Sequence, residues 1–249
     1  MLAILDWMMP GIDGIDLCRA IRTNRKDSYT YLIMLTSRSE TEFAVEAMNA
    51  GADDFIGKPF HPGELEARVR AGKRICELEQ LLRQKAIYDA LTGIYNRGAI
   101  IDILDKAVAR QQRDHGGLTL AFADLDHFKQ VNDVHGHTAG DIVLREVARR
   151  MGQVLRPYDS LGRYGGEELM VVLPGCEANS ALEIAERIRK NVCAEPIATD
   201  FGAIHASVSI GLAVLSEGMR STYGDLIQLA DRALYVAKNE GRNRVFLAA

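Results

Sequence analysis

Residues 118–133 read LTLAFADLDHFKQVND. An apolar run of strand character delivers Asp124 and Asp126 at its C-terminal end and then turns into a short helix over residues 128–134. Magnesium prefers hard oxygen donors, and a helix N-terminus offers free N–H groups to phosphate. Metal and triphosphate can therefore meet at this strand end. Further along, residues 165–168 read GGEE between apolar runs at 161–164 and 169–173, which reads as a hairpin with its glycines at the turn. Glu167 and Glu168 at that tip, with Asp124 and Asp126, make four carboxylates that would repel one another unless a divalent cation sat among them.

Around this core the second half of the chain reads as an α+β layer. A helix over 141–155 carries Leu144, Val147, Ala148, Met151 and Leu155 on one face. Helices over 180–191 and 223–239 and strands over 206–215 and 245–247 complete it. Residues 1–61 alternate strands (2–5, 31–35, 54–56) with helices (15–21, 41–49), the signature of parallel βαβ units. From 64 to 85 a seam of Leu65, Val69, Ile75, Leu78 and Leu82 predicts a long helix. It ends either as a two-stranded coiled-coil stalk or as a single solvated linker helix. The expected boundaries are 1–70, 71–88 and 89–249.

The chain has 249 residues, with 30 basic and 34 acidic side chains and a net charge of −4. That balance excludes a broad electrostatic grip on nucleic acid or anionic lipid, so any phosphate ligand must be held locally. Cys18, Cys76, Cys176 and Cys193 form no CxxC pair, which argues against a disulfide framework or zinc site and for a reducing cytoplasm. No apolar run approaches the ~18 residues of a membrane span, and the start lacks a basic leader. No membrane insertion is expected.

GGEEL at 165–169 resembles the GG(D/E)EF signature of diguanylate cyclases, and the supporting stretches fall in that family's order. They are DALTGIYNR at 89–97, DLDHFKQVND at 124–133, GHTAGD at 136–141, SVSIG at 207–211, ADRALY at 230–235 and AKNEGRN at 237–243. The resemblance implies a palm-like nucleotide cyclase fold and condensation of two GTP into cyclic dimeric GMP plus pyrophosphate by a homodimer. It implies that Asp124, Glu167 and the Leu125 carbonyl hold magnesium, two ions per site, with manganese possible. Glu168 would help the metals activate the 3′-hydroxyl. Asn132, Asp141 and Phe128 would bind the guanine side of GTP, and Lys129, Lys238 and Arg242 its phosphates. Leu169 stands where the family usually has Phe. It should point into the core and loosen the domain by about 1–3 kcal/mol. RPYD at 156–159 matches the family's RxxD product-inhibition site, where Arg156, Asp159 and, on the next helix, Arg187 would bind cyclic dimeric GMP. The plain alternative is a helix-end Arg–Asp pair.

Residues 5–14, LDWMMPGIDG, resemble the phosphoacceptor strand and loop of response-regulator receivers. In that resemblance Asp6 takes phosphate from a histidine kinase, with Thr36 and Lys58 sensing it. The receiver fold is flavodoxin-like with strand order 2-1-3-4-5, and this chain supplies the family's strands 3 to 5 without the acidic pair of the magnesium site. Three readings stand: a fragment of a longer chain, which is the expectation, a remnant used for dimerisation, or an unstable lobe. The activity expectation is a diguanylate cyclase. The alternative is a catalytically silent module that binds GTP or cyclic dimeric GMP and signals through partners.

Overall fold

The computed structural model describes residues 1–9, 11–23, 29–37, 41–114, 116–216 and 221–248, and the chain divides into two units, Met1–Gln84 and Lys85–Ala249. Pro10 of the phosphoacceptor loop lies outside the described residues. In the first unit the alternating pattern folds as β1 (Leu2–Asp6), α1 (Gly14–Thr23), β2 (Tyr31–Thr36), α2 (Thr41–Asn49) and β3 (Asp54–Gly57), followed by α3 (Pro62–Ile87). The strands pair in parallel in the order β1-β2-β3, with β2 nearly fully buried in the middle. A parallel sheet needs cover on both faces. Ile15 and Cys18 of α1 and Ala47 of α2 close one face over Leu32 and Met34. Leu65 and Val69 of α3 close the other over Tyr31, Ile33 and Ile56.

This corrects the seam expected along α3. Leu65 and Val69 belong to the core of the first unit, and Gly72 lets the helix approach so closely that a Cβ there would lie 2.4 Å from the Tyr31 ring. Ile75, Leu78 and Leu82 remain outward, 39 %, 50 % and 62 % exposed. A stalk can therefore use only the later part of the stripe.

The second unit holds α4 (Arg97–Asp114), β4 (Leu118–Leu125), α5 (Phe128–Val154), β5 (Ser160–Gly165), β6 (Glu168–Pro174), α6 (Ala178–Cys193), β7 (Ile197–Thr199), β8 (Gly202–Ile204), β9 (Val208–Leu215), α7 (Tyr223–Asn239) and β10 (Val245–Leu247). The main sheet runs β10-β9-β4-β6-β5. β4 is antiparallel to both neighbours, and β10 is parallel to β9. β4 is buried at every position because helices cover both faces. Side chains alternate across a strand, so Ala121, Ala123 and Leu125 join α5 and α6, while Leu118, Leu120 and Phe122 join α4 and α7. Leu169 is fully buried on the α5–α6 side, as its place in the signature implied.

The helices expected at 128–134 and 141–155 both form within α5, parted by a kink at Gly136, whose non-helical φ of 82° and ψ of 161° suit a residue without Cβ. Two elements differ from the sequence reading. Helix α4 and the β7–β8 hairpin were not anticipated. α4 buries Ile100, Leu104 and Val108, spaced one turn apart, against the sheet. No helix among the described residues is long and apolar enough to cross a membrane.

Candidate active site

The parity that buries Phe122 toward α7 also sends Asp124 that way. Register does the rest: Phe122 pairs with Met170 and Asp124 with Glu168, so both carboxylates stand on one face at the same end of β4 and β6. Like charges directly opposite across a ladder destabilise it. α7 supplies a counter-charge, with Lys238 Nζ 2.9 Å from Asp124 Oδ2. Burial pushes the Asp124 carboxyl above its ordinary value against the pull of Lys238, and nearby Glu167 and Asp126 push the same way. Glu168 is also raised, first by burial and then by Asp124, with Lys238 opposing. Gly166, at φ 51°, turns the tip, and the Leu125 N–H donates to the Glu167 carbonyl at 3.4 Å. Asp124, Leu125, Glu167 and Glu168 thus share one corner.

The expectation of four gathered carboxylates needs correction. Asp126, 8 % exposed, is saturated by hydrogen bonds: Ser209 Oγ donates to Oδ1 at 2.7 Å, and Ser207 Oγ at 2.7 Å and the Asn243 N–H at 3.0 Å donate to Oδ2. Among the described residues no three acidic, histidine or cysteine side chains form a ready metal cage. The donors left are carboxylates and a backbone carbonyl, all oxygen. Magnesium is commonly held by one or two carboxylates with substrate phosphates and water, so this set fits it.

The bend at Gly136 folds the first turns of α5 back on the rest. Asn132 Oδ1 occupies the space beside Gly140, where an added Cβ would lie 1.9 Å from it and 3.3 Å from the Phe128 ring. Asn132 and Phe128 are thereby stacked against the segment that presents Asp141, which is exposed, as is Lys129. His127, left-handed at φ 57°, makes the sharp exit from β4 that this packing requires. Arg242 follows the last turn of α7, four residues after Lys238, also with positive φ.

One connection was missed by sequence reasoning. Arg163 Nη1 lies 3.2 Å from the Asp89 carboxylate, and Arg163 Nε donates to the Gly166 carbonyl at 2.9 Å. Asp89 also accepts from the Thr92 N–H and hydroxyl, and its pKa is lowered by these bonds and by Arg163 in spite of burial. The hairpin tip is thus pinned to the turn at the entrance of the second unit.

Away from this corner, the Arg156 N–H donates to Asp159 Oδ2 at 2.8 Å and the Asp159 N–H returns to the Arg156 carbonyl at 3.0 Å. The Arg156 guanidinium reaches the Tyr158 hydroxyl, and Arg187 Nη2 donates to the Val154 carbonyl at 3.0 Å, two residues before Arg156. A simple Arg–Asp ion pair is not what this turn forms. In the first unit Lys58 Nζ bonds Asp6, whose pKa is lowered chiefly by that contact, and the Met8 N–H donates to Asp6 Oδ1 at 3.3 Å. Gly14 is needed there because a Cβ would sit 2.1 Å from the Asp6 carbonyl oxygen. Thr36, buried, ends the adjacent strand β2.

Comparison with known proteins follows the same division. The diguanylate cyclase GGDEF domain profile matches residues 86–244, and the response regulator receiver domain profile matches residues 1–70. Response regulator PleD of Caulobacter vibrioides is 32 % identical over 253 residues, covering 98 % of this chain and 56 % of PleD. Diguanylate cyclase DgcP of Pseudomonas aeruginosa is 41 % identical over 167 residues, covering 67 % of this chain and 24 % of DgcP. The chain thus spans about half of PleD and a quarter of DgcP. Among solved structures, the coiled coil and GGDEF domain of DgcB from Caulobacter crescentus, in complex with c-di-GMP, aligns with a TM-score of 0.68 and 33 % identity, covering 75 % of this chain and 98 % of that one.

Proposed function

The chain belongs to the diguanylate cyclase GGDEF family, and from that membership we propose that it joins two GTP molecules into cyclic dimeric GMP with release of pyrophosphate. The observation that carries this reading is the facing pair of buried Asp124 and half-buried Glu168, with Lys238 on Asp124. Such a pair burdens the bare fold and makes sense as a site built to receive cations.

Asp124, Glu167 and the Leu125 carbonyl would hold magnesium, two ions per site, with manganese as a substitute. When bound, the ions stabilise the attacking and leaving oxygens. Glu168 helps the metals activate the 3′-hydroxyl and takes its proton as that oxygen bonds the α phosphorus and the bond to pyrophosphate breaks. Lys238, which pairs with Asp124, joins Lys129 and Arg242 on the β and γ phosphates. Asn132 and Asp141 read the guanine edge beside Phe128, because a carboxylate accepts from N–H donors that adenine lacks.

Each protomer brings one GTP, so a homodimer is required, and pairing through the outward stripe of α3 raises the effective concentration of one half-site for the other. Within the domain plan 1–70, 71–88 and 89–249, Asp6 with Thr36 and Lys58 holds the phosphoacceptor position, and a histidine kinase is the partner this position implies. The cytoplasm, where GTP is available, is the location we assign.

Titration calorimetry with magnesium tests the substrate assignment. GTP should bind about tenfold or more tightly than ATP, and equal affinities would contradict the guanine-reading roles. Arg156, Asp159 and Arg187 form the product site, supported by the bond from Arg187 to the Val154 carbonyl, two residues before Arg156. Arg156→Ala should let product accumulate several-fold higher in a progress curve; a curve that stalls where the wild type stalls would return this turn to a structural role.

A further inference from the structure

Asp126 is a buried carboxylate that the reaction above leaves unused. Its three hydrogen bonds come from Ser207, Ser209 and the Asn243 N–H. Donor hydrogens aimed at a carboxylate put positive ends where a cation would have to sit, which sets Asp126 apart from its neighbour Asp124. The third bond matters most. Gly241, Arg242 and Asn243 have φ of 117°, 62° and 44°, a succession that glycine takes freely and that L side chains adopt only under constraint.

The constraints are visible. The Arg242 N–H caps α7 at the Ala237 carbonyl, 3.1 Å away. Arg189 Nη1 donates to Asn243 Oδ1 at 3.0 Å, with Arg189 itself held 2.9 Å from Glu186. The Arg244 carbonyl accepts from the Ile210 N–H at 2.9 Å. Of these bonds, the one to Asp126 ties the turn to the end of β4, two residues beyond Asp124. It fixes the residue pledged to phosphate against the strand pledged to metal.

We propose that Asp126 is a positioning residue: through the Asn243 N–H it holds the left-handed turn that sets Arg242 on the triphosphate. This inference rests on the GTP reading of the site. Asp126→Asn keeps the shape but replaces one acceptor oxygen with an NH2 group. The amide can still turn its oxygen to the Asn243 N–H and its NH2 group to a serine hydroxyl, so what the change removes is the charge that strengthens that bond, and the turn loosens. Asn243→Ala reaches the same end from the exposed side, since alanine tolerates the left-handed region poorly.

The test is equilibrium binding of the α,β-methylene analogue of GTP, which cannot react, and of GMP, each with magnesium, to wild type, D126N, N243A, R242A and the D126N/R242A double variant. D126N and N243A should each weaken the triphosphate analogue about tenfold and leave GMP within about twofold, and D126N should add nothing in the R242A background. Equal losses for both nucleotides, fully additive losses with R242A, or no loss at all would overturn the proposal. Thermal melting checks the fold of each variant; should D126N fail to fold, N243A alone decides by the same two nucleotides. A wild-type protein that binds neither nucleotide overturns the GTP reading itself and this inference with it, whereas normal wild-type binding with unchanged variants overturns the inference alone.

Discussion

Glu168→Gln should lower cyclic dimeric GMP formation by about a thousandfold while the purified variant melts at or above the wild-type temperature. Loss of a general base accounts for about 10²–10⁴ in rate. Glutamine keeps the volume and the strand, so the ladder between Asp124 and Glu168 survives. The stability change has a definite sign. The folded-state pKa of Glu168 lies above its ordinary value, by burial first and Asp124 second, so ionisation opposes folding. In metal-free buffer its contribution is fully present below the ordinary glutamate range and is lost as pH rises through the folded value. At neutral pH the glutamine variant escapes that loss. Initial rates by chromatography and melting in EDTA check both halves. A variant that turns over GTP at wild-type rates, or one that unfolds, would separate Glu168 from the chemistry.

Gly211→Ala should destabilise the second unit by about 3 kcal/mol, or prevent its folding, and abolish nucleotide binding. A Cβ at Gly211 would lie 2.1 Å from the Ala230 carbonyl oxygen and 2.2 Å from the Leu234 nitrogen, both backbone atoms of α7. Backbone cannot turn aside as a side chain can, so the helix must retreat from β9. Overpacking of cores typically costs about 1–3 kcal/mol even where side chains can adapt. Because α7 carries Lys238, its retreat also strips the counter-charge from Asp124. Urea denaturation of wild type and variant gives the first quantity and calorimetry the second. A midpoint within about 0.5 kcal/mol of wild type would mean that the β9–α7 contact yields more easily than its geometry allows.

What could be read in advance depended on the range of the interaction. β4 and the β5–β6 hairpin were legible because apolar alternation and paired glycines are local signals, and α7 and β10 run over the expected residues for the same reason. α4 was not read, although Ile100, Leu104 and Val108 recur at one helical turn, because its charged exposed face hides the stripe. Gly136 amid polar residues reads as a break between two helices, and its non-helical backbone makes it one. In the corner itself, Asp124, Glu167 and Glu168 were identified from their strand ends. Asp126 was grouped with them because sequence shows a carboxylate but not its partners, and Ser207 and Ser209 lie 81 and 83 residues away. The Asp89–Arg163 link, across 74 residues, escaped for the same reason. Along α3 the apolar seam was visible, yet its division between core and surface depends on where β2 packs.

The central claim is that carboxylates from the end of β4 and the tip before β6 join two guanine nucleotides with the help of divalent ions. The direct measurement is incubation of the purified chain with GTP and magnesium, with and without EDTA, followed by chromatography of the nucleotides. The account predicts cyclic dimeric GMP and pyrophosphate in a one-to-two ratio, formed only without chelator and at a rate that rises steeply with protein concentration. GTP recovered unchanged by a folded, dimeric, GTP-bound protein in magnesium would contradict it.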